Sequence, residues 1–446
     1  MSGHLFYQSR LSRPELDRAE GIYMWDTTGK RYIDGSSGAM VSNIGHSNPA
    51  VLAAMRAQMD KSTFGYRLHF QTGPAEALAA KTAALAPDGL DRVFFVSGGS
   101  EAVESALKLA RQYALTQGQA QRSKVISRYP SYHGSTLGAL AVTGYAPMTA
   151  PFDPMMRAMP KIPAPRAYLD GLDADDPATG HHYADMLEAK ILEEGPDTVL
   201  AFIVEPVGGA STGALVPPAG YMLRIRRICD QYGVLLIHDE VMSGGGRTGK
   251  FFGGDHWDGA PDLIALSKGF GAGYMPLGAL IARDNIVEAV LNAGGFIHGH
   301  TYAGNPLACA AGMAVLEQIE TRKLVPNAAL MGDALATRLQ ALKQRYPVIG
   351  DVRGKGLLAA FELVAERASM APLPSHLNVY DRLVNIAYEN GLIIYSRRTR
   401  GGTSGDHFLV CPPMIVTEAQ LDEIADILDL SMAQLLAEMP QLPGAA

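Results

Sequence analysis

Apolar and polar positions along the chain follow two different periods. Six short runs are apolar almost throughout: DRVFFVS from Asp91, KVISRY from Lys124, VLAFIVEP from Val199, VLLIHDEV from Val234, DLIALSK from Asp262 and LGALIARD from Leu277. Runs of this kind, rich in β-branched and aromatic residues, read as strands buried on both faces. Helical patterns lie between many of them. In EAVESALKLARQYAL, from Glu101, the residues Val103, Ala106, Leu107 and Ala110 share one face. Ser100 stands at the expected N-cap, and Glu101 and Glu104 suit the positive helix start. The alternation predicts an α/β unit, a mostly parallel sheet covered by helices, over residues 61–330.

Both ends are patterned differently. GIYMWDTTGKRYIDG carries the turn signals and alternation of a hairpin. Beyond Leu330 come a helix (MGDALATRLQALKQRY), a strand (DVRGKGLLAAFEL) and helices around Tyr380 to Glu389 and Glu418 to Leu436. They predict a smaller α+β unit assembled from residues 1–60 and 331–446. No internal repeat is visible.

Composition narrows the partners. The 446 residues are 47% hydrophobic and 19% charged, an ordinary globular balance. A net charge of −7 with no basic patch argues against nucleic acid. Cys229, Cys309 and Cys411 are widely spaced, without a CxxC, and read as buried reduced thiols of a cytosolic protein. The start, MSGHLFYQSR, has no apolar signal core, and no stretch approaches the roughly 20 apolar residues of a membrane span.

Candidate chemistry begins with LIALSKGFGAGYMPLGAL, which carries Lys268 out of an apolar run into glycine-rich backbone. A lysine so placed is either a solvated amine or a desolvated one able to attack a carbonyl. Asp239 ends the apolar run VLLIHDEV, where a carboxylate is costly without a positive partner. It is either a local cap or salt bridge, or the partner of a pyridinium nitrogen. Val241, two residues on, could pack on a flat ring, whereas His238 points the other way and reads as a core histidine. In FFVSGGSEAVESALK a strand runs through Gly98, Gly99 and Ser100 into a helix whose free N–H groups suit a phosphate or simply form a tight turn. Tyr132 and His133, in RYPSYHGSTLGA, follow a strand and could stack on a ring or merely pack. Thr301, in FIHGHTYAGNPLACAAG, offers a hydroxyl to a phosphate or marks a helix start.

Together these stretches resemble the class III aminotransferases, fold type I enzymes that use pyridoxal 5′-phosphate (PLP). The resemblance covers nearly the whole chain and rests on SGGSEAVESALKLAR, YHGST, VEPVGG, HDEVMSGGGRTGKFF, ALSKGFGAGYMPLGA and HTYAGNP in the family's order. It implies a large PLP-binding domain with a smaller α+β domain. It also implies a Schiff-base lysine at Lys268, a pyridine-nitrogen partner at Asp239 and a ring sandwich of Val241 and Tyr132. Gly99 and Ser100 would hold the phosphate, and Thr301 would complete the cup from the partner subunit of a homodimer. Glu205 would support the ring from behind, and His133 with Gly134 would complete the Tyr-His-Gly turn. The activity implied is transfer of an amino group from an amine donor to a keto acid. The same fold also hosts racemases, decarboxylases, aminomutases and phospho-lyases.

Several positions depart from the family's pattern. VEPVGGASTGALVPP has Gly208, Gly209 and Ala210 where GABA and ornithine enzymes place a glutamate, which favours the branch resembling ω-amino acid:pyruvate transaminases. Where much of that branch has an acceptor-binding arginine, this chain has Tyr395 followed by SRRTRGGTSGDH. Arg397, Arg398 or Arg400 could fork onto a carboxylate, with Arg398 the chosen candidate, or form a solvated basic loop. Met40 replaces a tryptophan and implies a wider pocket; Met242 replaces a glutamine. Phe6, Tyr7, His69 and Phe70 are candidate pocket walls. GGGRTGK, from Gly244 to Lys250, fits a P-loop spacing, yet Phe251 stands where a magnesium-binding Ser or Thr belongs.

Overall fold

A computed structural model describes residues 4–444. Near the N-terminus, β1 (Leu16–Glu20), β2 (Tyr23–Asp26) and β3 (Arg31–Asp34) form an antiparallel meander containing the expected hairpin. The helix Pro49–Met59 follows, N-capped by the Asn48 side chain; it and the helix Gly73–Leu85 both pack on the helix Pro306–Thr321.

The central sheet has seven strands: β4 (Arg92–Val96), β5 (Lys124–Tyr129), β6 (Lys161–Pro163), β7 (Val199–Val204), β8 (Leu235–Asp239), β9 (Leu263–Leu266) and β10 (Gly278–Ala282). Their order is β4-β10-β9-β8-β7-β5-β6. β10 alone runs antiparallel to its neighbours. Six of the seven match the apolar runs; β6 is too short and proline-bounded to stand out. Burial on both faces explains why these runs lack polar alternation. Along β7, Ala201 and Ile203 pack beneath the helix Gly99–Thr116, while Phe202 and Val204 pack beneath the helices Pro177–Glu194 and Tyr221–Tyr232. Full burial of one such large side chain contributes roughly 1.5–3 kcal/mol.

The C-terminal part supplies β11 (Ile349–Lys355), β12 (Leu358–Glu366), β13 (Ala371–Pro372), β14 (Leu392–Ile393), β15 (Tyr395–Arg398) and β16 (Asp406–Val410), all but β14 forming a third sheet. Its order is β11-β12-β16-β15, with β13 on β12; β14 instead pairs parallel with β3 and so completes the N-terminal sheet. DVRGKGLLAAFEL is therefore a hairpin, not one strand. Gly356, at φ +55°, makes the turn, and an added Cβ there would lie 2.5 Å from the Thr248 carbonyl carbon. Helices Leu324–Arg345 and Val379–Glu389 pack on this sheet, and Glu418–Glu438 packs on both of them and on β14, opening on a Thr417/Gln420 capping box. Among the described residues, no helix is long and apolar enough to cross a membrane. All three cysteines are buried and free.

Candidate active site

The carboxyl ends of β4, β5, β7, β8 and β9 point to one edge of the sheet, because these strands are mutually parallel once β10 is passed. In open α/β sheets that edge is where ligands bind. It is where the chain presents Ser97–Ser100, Tyr132, Glu205, Asp239 and Lys268.

Lys268 follows β9 in a left-handed conformation, φ +47°, sparsely populated for a side chain with a Cβ. The conformation is held locally: Ser267 Oγ donates to the Leu277 carbonyl at 2.8 Å. The glycine after the lysine is required by a close approach, since a Cβ on Gly269 would lie 2.1 Å from Asn43 Nδ2. That amide donates to the Gly245 carbonyl at 2.9 Å, and its oxygen accepts from the buried Arg247. The N-terminal segment is thereby stitched to the floor of the site. Desolvation lowers the Lys268 amine to about 8, opposed by the charges of Asp239 and Glu205. Lys268 still faces the cavities described below.

Asp239 is buried at the end of β8. Its Oδ2 accepts from His133 Nδ1 at 2.7 Å and its Oδ1 from the Val241 N–H at 3.1 Å. His133 Nε2 is buried without a partner among the described residues. Glu205 accepts from the Gly209 N–H at 2.9 Å and the Tyr132 N–H at 3.4 Å. Burial pushes its carboxyl up, against the pull of His133 and Arg128. His238 faces the opposite side of the strand, where burial depresses it to about 3, in keeping with a neutral core histidine.

The helix Gly99–Thr116 begins two residues earlier than the serine cap implied. Gly98 is the N-cap, and no side chain caps the first turn. Ser100 instead lies inside the helix, its Oγ accepting from the Ser135 N–H at 3.0 Å. A Cβ on Gly99 would meet Val241 Cγ1 at 2.8 Å, so glycine lets the helix start close over β8. Between these parts lies a cavity of about 130 Å³, bounded by Gly99, Tyr132, Asp239, Val241 and Lys268. An uncapped helix N-terminus, a buried carboxylate, an amine of lowered pKa and two flanking side chains fit the phosphate, ring nitrogen, aldehyde and faces of PLP.

A second cavity, about 220 Å³, shares Tyr132, Met242 and Lys268 with the first. Its further walls are Met40, Tyr145, Ala210, Tyr395 and Arg397. Tyr145 carried no recognisable signal in the sequence. Arg398, the chosen carboxylate candidate, is not in this lining. Strand alternation turns it to the other face of β15, where Nε bonds Asp406 at 2.9 Å and Nη2 bonds the Ser375 carbonyl at 2.7 Å. Arg397 faces the cavity instead, its guanidinium 4.6 Å from the Tyr395 ring. Arg400 is tied to the Met370 carbonyl.

Phe6, Phe70 and Thr301 do not line either cavity of this chain. Phe6 is 95% and Phe70 71% exposed, and Thr301 is exposed in a turn. Tyr7 and His69 are likewise exposed. Gly244–Lys250 leads into no α-helix; Arg247 within it is fully buried, donating to the Leu357, Cys411 and Pro412 carbonyls, which removes the P-loop reading.

Fold and site together define a PLP-dependent aminotransferase. Residues 8–432 match the model of aminotransferase class-III, and the chain belongs to that family. It is 35% identical to a putrescine–pyruvate aminotransferase of Pseudomonas aeruginosa, covering 95% of this chain and 92% of that one. It is 37% identical to a diaminobutyrate–2-oxoglutarate transaminase of Halomonas elongata, covering 91% and 87%. A thermostable (S)-enantioselective omega-transaminase from Thermomicrobium roseum superposes with a TM-score of 0.91 at 35% identity, covering 98% and 97%.

Proposed function

We propose that this aminotransferase moves an amino group from a primary amine or ω-amino acid to a keto acid, with pyruvate the acceptor. The observation that carries the reading is the cavity beyond Lys268. Its walls are methionine, tyrosine and alanine with one serine, Ser211, it has no carboxylate among the described residues, and Arg397 is its cation besides Lys268. Apolar walls take the body of an amine, and a guanidinium takes the acceptor's carboxylate.

PLP, bound as the resemblance implies, supplies an electron sink for the donor's Cα. The chain's residues do the rest. Asp239, oriented by His133, holds a proton on the ring nitrogen. Lys268 Nζ, about half neutral near pH 8, takes the proton from the donor Cα and returns it. Val241 and Tyr132 hold the ring flat between them. Gly99 and Ser100 bind the phosphate, and Met40 and Met242 keep water from the reacting carbon.

The second half of the proposal is a homodimer. Thr301 lies in an exposed patch with Phe64, Leu68, Phe70, Ile297 and Tyr302. The patch is tied together by a 5.9 Å ring contact between Phe64 and Tyr302 and by Arg67 donating to the His300 carbonyl at 3.1 Å. A second copy would cover this apolar surface and bring Thr301 to its partner's phosphate site. A panel of amines, incubated with pyruvate or 2-oxoglutarate and scored by amino-acid formation, tests the function. Alanine from several apolar amines is the expected result; product from 2-oxoglutarate alone overturns the acceptor assignment.

A further inference from the structure

The face of the C-terminal sheet turned toward the active site is apolar at Leu358, Ala360 and Leu409, which pack with Met40 and Met242. Toward one end of the sheet that face becomes a polar row. Register places Asp351 opposite Glu362, Glu362 opposite His407, and His407 opposite Arg397, across four adjacent strands. Glu362 is fully buried, an expensive place for a carboxylate unless its oxygens are occupied.

They are occupied by groups from three separate segments. Oε2 accepts from Tyr168 Oη at 2.8 Å and from Arg353 Nη2 at 2.9 Å. Oε1 lies 3.1 Å from the Thr399 hydroxyl, two residues beyond Arg397. Arg353 Nη2 also donates to the Thr212 carbonyl at 3.0 Å, and Nη1 bonds Asp351 at 2.7 Å. Next along the row, His407 Nε2 donates to the Ala210 carbonyl at 2.8 Å. Two loops face each other across the 220 Å³ cavity, one carrying Ala210 and the other leading out of Arg397. Both are tied to Glu362: the first through Arg353, the second through Thr399.

We propose that Glu362 is a positioning residue that sets the placement of Arg397 against the Ala210–Thr212 loop, and so sets acceptor binding without touching substrate. The proposal rests on the assignment of Arg397 to the acceptor carboxylate. A buried, multiply bonded carboxylate holds two walls more rigidly than an apolar contact would, because its hydrogen bonds fix distance and direction in a low-dielectric setting.

The test uses the PLP-loaded enzyme, with the amine and pyruvate half-reactions followed separately by cofactor absorbance. In Glu362→Gln the amide oxygen can keep Tyr168 and Arg353, but its NH₂ cannot accept the Thr399 proton, which turns to the Gly405 carbonyl 3.1 Å away; the fold has a route to survive while the charged second tie is lost. Thr399→Val removes the second tie and the hydroxyl's contact with the Gly405 carbonyl, which the Thr399 N–H still holds at 2.8 Å. Each variant is expected to raise the pyruvate KM at least fivefold, with the rate of the amine half-reaction and the PLP spectrum held within twofold. The double variant is expected to do no more than the stronger single one, since both break one linkage. An unchanged pyruvate KM in Thr399→Val, parallel slowing of both half-reactions, or additive effects in the pair would overturn the proposal; if Glu362→Gln does not fold, Thr399→Val alone decides. Arg397→Ala separates the two levels. If it leaves the pyruvate KM unchanged, the acceptor assignment fails; if it raises the KM while the other two variants do not, only the positioning role fails.

Discussion

Asp239 Oδ2 and His133 Nδ1 meet at 2.7 Å, and the far nitrogen of that imidazole has no partner among the described residues. The Tyr-His-Gly turn after β5 thus orients the carboxylate at the end of β8. A hydrogen bond to a charged group contributes about 1.5–3 kcal/mol. His133→Phe should therefore bind PLP but lose roughly 10–100-fold in the rate of the amine half-reaction. Asp239→Asn should lose more, because the ring nitrogen then has no anion opposite it. Single-turnover kinetics on the loaded variants checks both; a full rate in Asp239→Asn would remove the electron-sink role.

Lys268→Ala should abolish turnover, and borohydride should label the wild-type peptide containing Lys268 and no other. The lowered amine also predicts a pH dependence. At pH 8 about half of such amines are neutral, against roughly 0.3% for one titrating at 10.5. Capture of PLP by cofactor-free protein should accordingly rise with pH and level off above about 8. Linkage gives a second readout with a definite sign. As the pH falls from 10.5, the unfolded chain takes up the proton before the folded one does. The cofactor-free protein should therefore lose stability as the pH falls from about 10.5 to about 8, seen as a falling urea midpoint.

Arg397 and Arg398 should separate cleanly. Arg397→Ala is expected to raise the pyruvate KM roughly 10–100-fold with an unaltered melting temperature, as a charged hydrogen-bond pair is lost only in the bound state. Arg398→Ala breaks a pair with the buried Asp406 and should cost about 1.5–3 kcal/mol of stability, with little change in KM. Swapped outcomes would reverse the assignment.

A shared site makes a prediction about mixtures. Thr301→Ala should weaken PLP affinity, and Lys268→Ala should be inactive. Co-expressed, they should regain one intact site per mixed dimer, since the lysine comes from one copy and the threonine from the other. Absorbance titration with PLP reads this directly; mixtures no better than the separate proteins would exclude the shared site.

Most of the central sheet was legible because its strands are buried on both faces and so carry continuous apolar runs. The edge strand β6, three residues long, carries no such signal. Asp239 was legible for a physical reason: a carboxylate closing an apolar strand needs a partner. The same argument applied to LLAAFELV would have singled out Glu362. It was missed because its partners Tyr168, Arg353 and Thr399 are brought together only by the fold. Choosing between Arg397 and Arg398 needed the register of β15 against β16, which a loop rich in glycine does not reveal. Phe6 and Phe70 carried aromatic bulk but no indication of their place, and within one chain both lie on the surface.

The pairing of β3 with β14 carries a cost during synthesis. The N-terminal meander is finished by a strand that leaves the ribosome roughly 360 residues later, or roughly 20–70 s at ordinary elongation rates. Through that interval the nascent chain displays an open edge of unpaired amide and carbonyl groups, a template for the wrong strand. Chaperone dependence and inclusion-body formation should track how fast Leu392 and Ile393 arrive, so a linker that brings them to β3 earlier in a circularly permuted chain should improve recovery of native enzyme.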